Sequence, residues 1–127
     1  MGFLLLADAA VLLHVAYILY VLFGAVLVRR WARTVWPHLA AVVWGVYIAA
    51  AHRVCPLTPL ENALRVRAGE TGYAGGFIEH YVLPVLYPRG LTPAVLAAEA
   101  VFVVVLNVAL YAWVWWARRL AERGGRG

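Results

Sequence analysis

The run FLLLADAAVLLHVAYILYVLFGAVLV, residues 3–28, decides how this chain is read, because only Asp8 and His14 interrupt its apolar character. Built as a helix at ~1.5 Å per residue it reaches ~39 Å, more than the ~30 Å of a bilayer's hydrocarbon core. Arg29, Arg30 and Arg33 close the run, and Trp31 and Trp36 suit an interfacial belt on the same side. No basic segment precedes it and no small-residue cleavage site follows it, so it reads as a retained span and not as a signal peptide.

Working outward, the 127 residues are 65% hydrophobic with a mean hydropathy of +0.81, too apolar for an ordinary soluble protein and too short for several domains. The expectation is an all-α membrane protein forming one integral domain over residues 1–127. Its three transmembrane helices cover about 3–28, 36–54 and 92–117, and two short helices lie in a connection at 55–91. Pro37 is tolerated in the first turn of the second span, and Thr92-Pro93 is a helix-start pair for the third. The net charge of +5 comes from eleven arginines against six acids, with no lysine. Those arginines flank apolar runs instead of forming a basic face with stacking aromatics, which excludes nucleic acid as a partner. Seven of the eleven fall beside the first loop or in the tail. The positive-inside rule then places the C-terminus in the cytoplasm and the N-terminus, with segment 55–91, outside. The tail, 120–127, is expected to fray.

Inside the connection, Thr58-Pro59-Leu60-Glu61 has the form of a capping box with proline at the first helical position. A short helix should follow and stop at Gly69. With Leu60, Ala63 and Leu64 on one side and Asn62, Arg65 and Glu70 exposed, it would lie in the interface like a lid. A glycine turn containing Gly75 and Gly76 permits positive φ, and a bent helix over 77–87, broken at Pro84, completes the segment.

Depth along the spans indicates which polar groups can meet. Counted from the inner arginines, His14 lies ~22 Å in, Asp8 ~31 Å, and His52 and Glu99 ~28 Å each, with Cys55, Glu61, Glu79 and His80 just above them. Ionisable groups at such depth are costly and normally face protein or water, so this layer is the candidate site. His14, His52, Glu79, His80 and Cys55 are its candidate ligands for a metal ion, haem or another small molecule, with Asp8, Glu61, Asn62 and Glu99 as polar neighbours. His38, only ~7 Å from the inner edge, falls outside the layer. A plainer reading stands beside this one. Asp8 and Glu99 sit near helix N-termini, where the dipole favours a carboxylate, and His38 and His52 can hydrogen-bond between helices. Ala41, Gly45 and Ala49 form a small-residue face suited to close helix packing, either within the chain or against a partner membrane protein or second copy. The lone Cys55 rules out an intramolecular disulfide, and no catalytic fingerprint is present.

The strings CPLTPLEN, residues 55–62, and GYAGGFIEHYVLPVLYPRGLT, residues 72–92, resemble those of the bacterial domain-of-unknown-function family 2784, small integral membrane proteins. LADAAVLLHVAYILYVLFGA, residues 6–25, and WPHLAAVVWG, residues 36–45, are similar to it too. The resemblance implies a bacterial cytoplasmic (inner) membrane location. It brings no activity, substrate or cofactor. It marks Asp8, His14, His38, Cys55, Thr58, Pro59, Glu61, Asn62, Gly75, Gly76, Glu79, His80 and Tyr81 as standing in the family's characteristic strings.

Overall fold

The structure is a computed structural model that describes residues 1–72, 80, 81, 84 and 93–125. Gly75, Gly76, Glu79 and most of the helix expected over 77–87 lie outside the described residues. Four α-helices are present among them, and no strand: α1 (Gly2–Arg30), α2 (Val35–Ala50), α3 (Leu57–Arg67) and α4 (Pro93–Gly124). A single 3-10 turn, Ala32–Thr34, joins α1 to α2. α1 is the central element, touching each of the other three; α2 and α4 also pack together, and among the described helices α3 packs on α1.

Hydrogen bonds from side chains to the backbone of neighbouring helices fix the helix directions. Tyr17 donates to the carbonyl of Ala41 (2.8 Å) and His38 reaches the carbonyl of Tyr20 (3.0 Å), so α2 runs antiparallel to α1. Asn107 donates to Val21 (3.0 Å), and Arg118 donates to Val28 and Arg29, so α4 runs parallel to α1. The Arg118 contacts supply donors to α1's last carbonyls, which have no partner within their own helix, and put a cation at the negative end of its dipole.

α1 buries a stripe of mostly small residues, Ala7, Ala10, His14, Val21, Gly24, Ala25 and Val28, at the spacing of one helical face. Small side chains let backbones approach, and His38 uses this most fully. It is completely buried. A Cβ at Gly24 would stand 2.3 Å from its Cδ2. Because Nε2 must donate to the Tyr20 carbonyl, Nδ1 is the acceptor for the Tyr111 hydroxyl at 2.7 Å. One ring thus ties α1, α2 and α4 together, as the cross-helix reading of His38 expected. The small-residue face of α2 also works within the chain: Ala41, Gly45 and Ala49 are half-buried, and a Cβ at Gly45 would meet Tyr17 and Val21 of α1. Asn107 also bonds between helices, donating to the carbonyl of Val21, while Tyr111 serves His38.

Several expected boundaries differ from the observed ones. α2 ends at Ala50 and not near 54, because His52 at φ 51° takes the left-handed position of a Schellman motif. The His52 N–H bonds to Ala49 (3.2 Å) and the Arg53 N–H to Ile48 (3.0 Å), closing the helix. At 16 residues α2 rises ~24 Å, short of the ~30 Å core, so two described helices and not three are long and apolar enough to cross a membrane. α4 stays helical to Gly124 where fraying from 120 was expected, since Leu120, Ala121, Glu122 and Arg123 are good helix formers.

The non-glycine αL residue yields a prediction. His52→Gly should raise stability by about 1 kcal/mol, measured by denaturant unfolding in detergent, by removing the Cβ penalty at that position. A loss would show that the imidazole has an energetic role that its exposed place in the turn does not reveal.

The largest correction concerns α3. It starts one residue before Thr58, with Pro56 at its N-cap and no side-chain cap, so the expected capping box does not form. Its stop at Gly69 is as expected: at φ 86° Gly69 is the left-handed residue of a second Schellman motif, with Glu70 bonded back to Arg65. The lid orientation is reversed. Thr58 and Glu61 are each 1% exposed against α1, whereas Leu60 and Val66 stay exposed. The face of α1 it meets carries Asp8 and His14, and polar groups leaving water need polar partners there.

Candidate functional site

The contact between α1 and α3 gathers an ionic cluster at the end of the molecule away from the arginine-bearing loop. Arg65, the hub, has the sequence spacing for its first partner: Glu61 lies four residues before it on α3, one turn away on the same face. Its Nε donates to Glu61 Oε1 at 2.9 Å and its Nη1 to Glu70 Oε2 at 2.9 Å. Nη2 stands 3.7 Å from Asp8 Oδ1 on α1, and 3.4 Å from the hydroxyl of Tyr81. The Tyr81 hydroxyl in turn donates to Glu61 Oε1 at 2.9 Å.

Burial grades this network. The side chain of Glu61 is 1% exposed and that of Arg65 19%, while Glu70 and Asp8 keep 45% and 65%. The inner pair therefore sits where charge attraction is weakly screened, and the outer two carboxylates sit where water competes. The hydrogen bonds to Glu61 and Glu70 push the Arg65 guanidinium even further above its usual range, so it is a permanent cation. Burial, and then the hydrogen bond to Glu61, raise the Tyr81 phenol above its ordinary value, which keeps it a donor. His14, buried on α1, lies close enough to Glu61 for their charges to interact. Thr58, one turn before Glu61 on the same buried face, has its hydroxyl oxygen shut from solvent with no hydrogen-bond partner among the described residues. Among the described residues, the guanidinium of Arg65 thus stands among three carboxylates, with the Thr58 hydroxyl close by.

Among the residues expected at the site, the structure brings together Asp8, His14 and Glu61, with Thr58 beside them. Asn62, half-buried, lies against Gly72, where a Cβ would come within 3.0 Å of its side-chain oxygen. His80 is exposed and stacks edge-on with Tyr81 at 4.7 Å, at the rim of the cluster. His52 is exposed in its turn, away from the buried ring of His14. Cys55 is half-buried near Tyr17, and Glu99 is half-buried on α4. Glu79 lies outside the described residues. Among those described, no three His, Cys, Asp or Glu side chains meet in a way that could hold a metal ion. Arg65, Glu70 and Tyr81 are the cluster members outside the layer found by depth counting. The Glu61/Arg65 spacing was the available signal, but an apolar-side-in reading of α3 pointed Arg65 at solvent.

Residues 4–112 match the family model described as Protein of Unknown function (DUF2784), and the chain belongs to that family. Nothing among the curated proteins or the solved structures matches it.

Proposed function

Taking that membership as the premise, and since the family brings no activity with it, we propose that the chain is an integral membrane protein whose α1–α3 contact is an outward-facing binding site for a small cation or amine. The membrane assignment is supported by α1 and α4. Both are long and apolar enough to cross, and only 28% and 12% of their most apolar windows are buried within the chain. The core helix of a soluble protein would be largely covered. Leu12, Leu19 and Phe23 on α1, and Phe102, Val105 and Val108 on α4, each leave more than half of their surface bare. With α2 as a shorter third crossing, the arginine-bearing ends lie in the cytoplasm of a bacterial cell and the α3 end faces outward.

The observation that carries the binding reading is the inverted face of α3. A helix that merely covered the bundle end would bury Leu60 and Val66 and leave Thr58, Glu61 and Arg65 in water, at lower cost. Here the polar side is buried, with the carboxylates of Asp8, Glu61 and Glu70 converging on the guanidinium of Arg65. A cationic group is the natural complement to converging carboxylates, with the Thr58 hydroxyl as a further acceptor.

The test is thermal unfolding of the purified protein in detergent against monovalent and divalent metal ions and small organic amines, beside elemental analysis and a visible spectrum. At a hundredfold excess over Kd a true ligand contributes ~2.7 kcal/mol, a shift of several degrees, which Glu61→Gln should abolish. No shift with any cation and no bound metal or chromophore in a folded sample would end this reading.

A further inference from the structure

The end of the molecule opposite this site has a use that topology alone does not exhaust. Because α1 and α4 run parallel and Arg118 ties them together, two separate arginine groups become one surface. Arg29, Arg30 and Arg33 come from α1 and the turn after it, and Arg119 and Arg123 from the last turns of α4, all exposed. Glu122 is the one acid among the described residues of these two stretches. Among the described residues, none of these guanidinium groups is paired with a carboxylate.

Aromatic rings prepare the surface. The Arg29 guanidinium lies 5.1 Å from the ring centre of Trp113 and that of Arg119 3.9 Å from Trp115. Stacking occupies the face of a guanidinium and leaves its N–H edge free, the edge that pairs with phosphate oxygens. Trp31, Trp36 and Trp116, exposed around the same end, are suited to the headgroup level of a bilayer.

We propose that this end is a selective surface for anionic phospholipids, its arginines binding the headgroup phosphodiesters of the adjoining leaflet. The proposal rests on the membrane reading above and is independent of the α1–α3 site. Each arginine near an anionic surface is worth about a fivefold preference, so several acting together give marked selection.

The protein is reconstituted in nanodiscs from an equimolar mixture of phosphatidylglycerol and phosphatidylcholine, and the lipid it retains on extraction is identified by mass spectrometry. Wild type should retain phosphatidylglycerol in excess, and the triple variant Arg30→Gln, Arg33→Gln, Arg119→Gln should lose that excess by about tenfold or more while keeping wild-type circular dichroism. Equal retention of both lipids by wild type, or undiminished selection by the folded triple variant, would overturn the proposal. So would equal stabilisation by inorganic phosphate in phosphatidylcholine alone, which indicates a free-anion site. Should the triple variant not fold, a salt titration of wild type decides: selection that fades as salt rises supports the proposal, and selection indifferent to salt refutes it. Retention in carbonate-washed membranes reports on the membrane reading separately from lipid choice.

Discussion

Replacing Arg65 with alanine should destabilise the protein by about 3 kcal/mol, the low end of the range for breaking a buried ion pair. The loss comes mainly from Glu61. With 1% of its side chain exposed, it would keep its charge, or take up a proton, in a place where Tyr81 still donates to it but the guanidinium is gone. The low end applies because Arg65 keeps 19% of its side chain in solvent, so water can enter where the guanidinium was. Glu70 and Asp8, at 45% and 65% exposed, should matter far less, and Glu70→Gln should cost well under 1 kcal/mol. Chemical denaturation in a fixed detergent gives all three values. The pair Arg65→Met, Glu61→Leu closes the cycle: removing both charges should recover much of what the single change loses. An Arg65→Ala loss below 1 kcal/mol would reduce the cluster to an ordinary surface network.

Gly24→Ala should cost about 2–3 kcal/mol, although alanine is the better helix former by ~1 kcal/mol. The added methyl would stand 2.3 Å from His38 Cδ2, 2.7 Å from Nε2 and 3.1 Å from Tyr20 Cδ2. The ring cannot step aside cheaply, because Tyr111 and the Tyr20 carbonyl hold it from both sides. Either α1 and α2 separate or the three-helix knot opens. His38→Ala by itself strands the Tyr111 hydroxyl and leaves a cavity, but combined with Gly24→Ala it gives the methyl group room. Thermal unfolding of the two single variants and the double should therefore show the double less destabilised than the sum by at least 1 kcal/mol. Simple additivity would mean that the contact is not the constraint it appears from the geometry.

Much of the candidate site was legible because depth is a linear property of a helix. Counting ~1.5 Å per residue put Asp8 and Glu61 toward the end remote from the arginines, and Arg65 now stands between them. Rotation about the helix axis was not legible for α3. Its eleven residues mix Leu60, Leu64 and Val66 with Thr58, Glu61 and Arg65, and the pattern by itself favoured the apolar side as the buried one. That rule assumes an apolar receiving surface. α1 presents Asp8 and His14 there, so the opposite side won. The end of α2 was misjudged for a related reason: nothing local in Ala51-His52-Arg53 announces a left-handed turn in the way that Gly69 does, since histidine takes positive φ only at a cost.

By itself, then, the sequence determined what one-dimensional quantities determine. The length and hydropathy of α1 and α4, the placing of arginines at their ends, the glycine stop of α3 and the family's strings all survive without knowing what any residue touches. Tertiary structure alone decided which way α3 faces, that Arg65 is the hub of the polar cluster, and that His38 joins three helices over Gly24. The physical reason is that free energy of burial depends on the partner surface. A carboxylate is costly against leucine and well placed against a guanidinium, and a missing Cβ matters only where another ring needs its volume.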